Sequence, residues 1–165
     1  MGRYDYVHMR LVVCIVEDKD PRPIIRSLRK MLKPGGWLQW DELDTVNTCV
    51  TKVNPGLQTP ALEQLRVWSW AEGRRDWTVQ LGNFCAEEGF EEVKVDFVGD
   101  KDEMARAFND QHLLTAEEFA EGLVKLGKKE AAAKYFRLVQ EAYDESVAGA
   151  ALCVPRIVCV AQKPL

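Results

Sequence analysis

Two short stretches carry the side chains best suited to proton and charge chemistry, YDYVHMR at residues 4–10 and WLQWDEL at residues 37–43. His8 can give or take a proton near neutral pH, Arg10 can hold a carboxylate or enolate through its fixed donors, and Asp41 or Glu42 can shuttle a proton. Trp40 adds a flat apolar surface beside the two acids. The same types also suit a plainer role, in which Arg10 pairs with a neighbouring acid and His8 is a satisfied core histidine. A second concentration of ring surface, RVWSWAEGRRDWTVQLGNF, holds Trp68, Trp70 and Trp77. Rigid aromatic area of this kind either lines a pocket for an apolar ligand or fills a core, and helical spacing sends at least one of the three to the core. His112, in NDQHLL, reads as a loop histidine ahead of a helix.

Local signals say how these groups are positioned. YDYVHMR has the aromatic and β-branched character of a strand, and the LVVCIV run after it either continues that strand or turns into a short helix. Asp20 and Pro21 open a helix whose apolar side is expected to hold Ile24, Leu28, Met31 and Leu32, with basic residues gathered toward its C-terminal end. PGG ends it and WLQWDEL follows as a strand, giving the strand–helix–strand pattern of a crossover unit. Residues 45–58, with NPG, read as a loop. Thr59 and Pro60 start another helix, Asp76 caps the next and Gly89 stops it. FEEVKVDFVG alternates as a half-buried strand, Thr115 and Glu118 have capping-box spacing, KKEAAAKYFRLVQEAYDESVAGA is a strong helix, Pro155 breaks the pattern, and RIVCVAQKP closes the chain as a strand.

Composition narrows the function classes. The 165 residues are 47% hydrophobic and 29% charged, ordinary values for a single globular domain, and the formal net charge is −4. Basic and acidic residues are interspersed, so no electrostatic footprint for nucleic acid is expected. LVVCIV is far too short to cross a bilayer and has no signal-peptide flanks, so the expectation is no membrane partner and a cytoplasmic location. Five cysteines without CxxC spacing, and two histidines without HxxxH spacing, point to reduced thiols and no dedicated metal site.

Taken in order, strand, basic amphipathic helix, LKPGGWLQWDELD, helical insertion, GFEEVKVDFV, helices and a terminal VCVAQKP strand, the chain resembles the C-terminal half of class I methyltransferases that use S-adenosylmethionine. Within that superfamily it is similar to the fungal branch of secondary metabolism, where a YDYVHMR-like strand precedes LKPGGW. The resemblance spans nearly the whole chain. It implies an α/β fold, a partial Rossmann-like methyltransferase sheet retaining the family's strands in the order 4-5-7-6 with strand 7 antiparallel. The expectation is one truncated domain over residues 1–165, with a helical insertion at about 59–89.

The family's glycine-rich turn and the acids of its earlier strands have no counterpart here; there is no GxGxG-type turn in the sequence. The resemblance therefore implies a substrate half without the S-adenosylmethionine site, and no cofactor is expected. In open α/β sheets ligands sit at the carboxyl ends of the strands. That places His8, Arg10 and Asp41 as candidate catalytic groups and Trp40 and Glu42 as substrate contacts. The insertion roofs the substrate pocket in the related enzymes, which adds Trp68 and Trp77, with His112 as a weaker contact. The function expected is a cofactor-independent cyclisation, isomerisation or pericyclic step on a small molecule, making the protein a biosynthetic enzyme. Two rivals stay open: methyl transfer when another chain completes the fold, and a non-catalytic interaction module. An uncovered first strand favours a homodimer through its edge or adjoining apolar face.

Overall fold

The helix opened by Asp20 and Pro21 shows how local chemistry builds the first layer. In the computed structural model, which describes residues 2–13, 15, 16, 20–69, 76–99 and 101–165, α1 spans Arg22–Met31. Asp20 Oδ1 accepts the Arg22 amide hydrogen at 3.0 Å, supplying an acceptor to an otherwise unpaired N-terminal donor. The buried side of α1 is carried by Ile25 and Leu28, whereas Met31 is exposed. The expected stripe is thus rotated by one residue at its start, because Ile25 rather than Ile24 is the fully buried position. Cys14 and Trp70 lie outside the described residues.

Two compact units divide the chain. The first contains residues 1–47, 73–99 and 155–165, and the second residues 48–72 and 100–154. In the first unit, β1 (Tyr4–Arg10), β2 (Leu32–Leu43), β6 (Arg156–Gln162) and β4 (Glu91–Val98) form one sheet in the order β1-β2-β6-β4. β1 and β2 are parallel, while β6 runs antiparallel to both β2 and β4. Order and direction are those expected for the family's strands 4-5-7-6, down to the reversed strand between two others.

Alternation along β2 and β6 sorts the sheet into two faces. Leu38, Trp40, Ile157, Cys159 and Ala161 are buried on one of them, with Ile25, Leu28, Leu81 and Cys85 of the helices also in the core. The intervening residues Gln39, Asp41, Val158 and Val160 are only half-buried. On the helical side, α3 (Leu81–Glu87) runs so close to β4 that a Cβ at Gly82 would stand 2.5 Å from Val95 Cγ2. Gly89 ends the helix at φ 79°, a conformation that favours glycine. Arg22 and Arg26 of α1 reach Glu87 at the end of α3 and Glu88 just after it, and the Arg26–Glu88 pair is bidentate at 2.7 Å for each contact.

The second unit is helical with a small ribbon. It contains α2 (Pro60–Ser69), α4 (Ala105–Lys125), α5 (Lys129–Val147), and the antiparallel pair β3 (Cys49–Lys52) and β5 (Ala150–Cys153). Residues 49–52 are therefore a strand within the stretch read as a loop, and residues 150–153 are a strand ahead of Pro155. Neither four-residue run shows an alternation long enough to announce itself. Thr115 does not cap a helix, since α4 runs through it; its hydroxyl donates to Gln111 O at 3.0 Å, one turn back. His112 accordingly lies buried within α4 rather than in a loop. The helices of the expected insertion are divided, α2 belonging to the second unit and the 3-10 turn Asp76–Gln80 with α3 to the first.

Candidate functional site at the ends of the parallel strands

Register brings two of the sequence-selected groups together. Arg10 stands opposite Asp41 and His8 opposite Gln39, so His8 and Asp41 are diagonal neighbours on the half-open face of the sheet. His8 Nε2 is 2.9 Å from Asp41 Oδ2. The side chains are 41% and 21% exposed, which leaves the imidazole accessible while the carboxylate is partly shielded. Two residues that were not singled out from sequence complete a chain of hydrogen bonds. Gln39 Nε2 donates to Asp41 Oδ1 at 2.8 Å, and the Tyr6 hydroxyl donates to Gln39 Oε1 at 2.8 Å. The signal that could have found them is the period of two: Tyr6, His8 and Arg10 share a face of β1, as Gln39 and Asp41 share one of β2.

This arrangement defines what the site can do. With Asp41 ionised, Nε2 carries the hydrogen toward the carboxylate, so Nδ1 is left with its lone pair to accept a proton. Asp41 then stabilises the imidazolium that forms, and the Gln39 amide holds the carboxylate's other oxygen. Arg10 is exposed at the end of β1, where its guanidinium can meet an anion.

Trp40 and Glu42 lie on the opposite, covered side. Trp40 is fully buried, and Trp77 meets it edge-on with ring centroids 5.9 Å apart. Glu42 is also fully buried: Oε2 accepts from Val12 N at 2.8 Å and Trp40 Nε1 at 3.3 Å, and Oε1 from Leu43 N at 3.1 Å. Burial pushes its carboxyl above the usual carboxylate range, and these donors only partly oppose that rise. Leu11, at φ 52°, bends the chain out of β1 just ahead of that contact. Trp68 belongs to the second unit, where its ring packs at 5.5 Å on Tyr135, itself 5.1 Å from Phe119. That unit also holds a groove of about 510 Å³ between α4 and α5, lined by Leu113, Leu114, Phe136, Val139, Tyr143 and Asp110 among others. Sequence reasoning did not pick it out.

β1 and β2 stand where the family has its strands 4 and 5, so the turn after β1, with Leu11, Val12 and Val13, and Glu42 at the end of β2 are not the places of the glycine-rich turn and acids that hold the family's methyl donor. Sheet order, strand directions and helix placement nonetheless define a methyltransferase-like α/β fold.

Comparison with known proteins finds partial likenesses. A 43-residue stretch is 49% identical to the methyltransferase grgD of a Penicillium species, covering 26% of this chain and 15% of that protein. Among solved structures, the [4+2]-cyclase SpnF is 22% identical, with 99% of this chain and 51% of that one covered and a TM-score of 0.48. Phosphoethanolamine N-methyltransferase 2 of Haemonchus contortus is 18% identical, with 98% of this chain and 34% of that one covered and a TM-score of 0.42. The chain thus spans about half or less of these structures, and its curated match a smaller share. No family model matches the sequence.

Proposed function

We propose that the protein catalyses a cofactor-independent rearrangement of a small biosynthetic intermediate, a cyclisation, isomerisation or pericyclic step, on the half-open sheet face. The observation that carries this reading is the His8–Asp41 hydrogen bond at 2.9 Å, buttressed by Gln39 and Tyr6, at the carboxyl ends of two parallel strands. His8 accepts and returns the proton, Asp41 stabilises its charged form, and Arg10 binds the carboxylate or enolate that gains negative charge. Such chemistry needs positioning and a few polar groups rather than a bound methyl donor. The substrate is a small molecule, and two copies of the chain cover the exposed β1 edge.

Metabolite profiles of strains with and without the gene, complemented by His8→Ala, Asp41→Asn or Arg10→Ala, test the proposal. The gene's product should disappear on deletion, and each folded variant should restore it with a rate lower by ~10²-fold or more. Variants that fold and restore the parent rate would sink the assignment of these residues. A second reading, methyl transfer after completion by another chain, is favoured by the position of β1 at the edge of its sheet and by the partial match to a methyltransferase. It requires label from S-adenosylmethionine to reach a product only when both chains are mixed.

A further inference from the structure

Cys49 and Cys153 stand directly opposite one another across the β3–β5 ribbon. The type of pair follows from the neighbouring hydrogen bonds. Val53 N donates to Gly149 O at 2.9 Å, marking that pair as hydrogen-bonded, and the antiparallel pattern alternates with every residue. Cys49 and Cys153, four residues along, are therefore again a hydrogen-bonded pair. Leu152 supports this phase: its amide hydrogen points away from β3, to Asn109 Oδ1 at 2.8 Å. Such pairs have Cα atoms about 5.5 Å apart, inside the range that a disulfide spans, while the Cβ atoms must approach by roughly 1 Å for the bond to close.

We propose that Cys49 and Cys153 are a reversible thiol–disulfide couple. Access favours it, because Cys49 is exposed and Cys153 half-buried. The other close pair makes the contrast: Cys85 and Cys159 have sulfurs 4.0 Å apart but are fully buried, so a dissolved oxidant does not reach them. Placement gives the bond an effect. The chain first enters the second unit between Asn47 and Thr48 and last leaves it between Val154 and Pro155, each within two residues of one of the cysteines. A disulfide there ties the entering segment to the leaving one and closes the open end of a four-residue ribbon. The co-reactant is a small disulfide such as oxidised glutathione. The Cys49 thiolate attacks one of its sulfurs and releases a glutathione thiolate. The Cys153 thiolate then attacks Cys49 sulfur and releases the second, and the two cysteine protons end on the two glutathione thiols. The protein pair is oxidised and the small disulfide reduced. The need to draw the Cβ atoms together makes the bond readily reducible, as regulatory disulfides are.

The full chain carrying Cys14→Ser, treated with oxidised glutathione and mapped without reduction by mass spectrometry, tests this. The expected product is a Cys49–Cys153 linked peptide, lost on adding dithiothreitol, with amide exchange at Thr51 slowed roughly tenfold. Cys153→Ser in the same background should instead keep a stable glutathione on Cys49. Resistance of Cys85 and Cys159 to alkylation reports that each protein is folded. A lasting glutathione adduct on Cys49 with Cys153 present, linkage of Cys49 to a different cysteine, or no reaction at either residue would each overturn the proposal.

Discussion

Glu42 Oε2 accepts the amide hydrogen of Val12 at 2.8 Å, so a fully buried carboxyl pins the chain where it leaves β1. Its pKa is raised, with burial as the main cause. The folded state therefore holds a proton that the unfolded chain has released at the same pH. Stability from this group is complete below the ordinary carboxylate range and is lost as pH rises through the elevated value. Urea unfolding across pH 4 to 8 should show a decline that Glu42→Gln removes. A wild-type profile that rises through this window with the same slope as the variant would contradict it.

Glu145 caps the helix that Thr59 and Pro60 open. Its two oxygens each accept at 2.8 Å from the first amides of α2, Ala61 and Leu62, and place negative charge at the positive end of that helix. The Thr59 hydroxyl is buried without a hydrogen-bond partner in the structure. Glu145→Ala should cost about 1–2 kcal/mol, whereas Thr59→Val should be neutral or slightly stabilising. Chemical denaturation of the two variants decides the order, and a larger loss for Thr59→Val would reverse the assignment.

The same pair marks the boundary of what was legible in advance. That α2 begins at Pro60 was written locally, in a proline that fits a first turn; that its cap comes from a residue 84 positions away was not. In α4, the Thr115 to Glu118 spacing matched a capping box, but inside a continuing helix the Thr115 hydroxyl bonds back to Gln111 O and the signal loses its meaning. Strand order followed from the family resemblance, while the β3–β5 ribbon escaped because four-residue runs carry too little pattern. At the candidate site, alternation alone places His8 and Asp41 each on some face of its strand. Whether the faces coincide depends on the register that sets Arg10 opposite Asp41, and that is a property of the sheet. Gln39 and Tyr6 were hidden for the same reason.

Asn109 should be the most sensitive polar residue of the second unit. It is fully buried, accepting the Leu152 amide hydrogen at 2.8 Å and donating to the Ser146 hydroxyl at 3.0 Å, which in turn donates to Ala142 O. Asn109→Ala strands a buried amide of β5, with an expected cost of about 2–3 kcal/mol, while Ser146→Ala leaves that amide paired and should cost about 1 kcal/mol. Equal, small losses in thermal and urea melts would show that water replaces the side chain at no cost.

The last prediction concerns the edge of the larger sheet. β1 has β2 on one side, and among the described residues no strand pairs with its other side. Tyr4 and Tyr6 on this strand are 50% and 52% exposed. An aromatic edge with unpaired backbone groups is a template for pairing, and a two-fold axis lets the same edge satisfy both copies. Light scattering on the full chain should therefore give about twice the monomer mass at micromolar concentration. Tyr4→Lys adds a charge to the edge next to the existing Arg3 and should weaken the dimer roughly tenfold or more without unfolding the protein. Tyr4 is the residue to change because Tyr6 also holds Gln39, so a loss there would mix assembly with the site. A monomer at all concentrations, or a dimer indifferent to Tyr4→Lys, would rule out self-pairing at this edge and turn the search to a different chain as its cover.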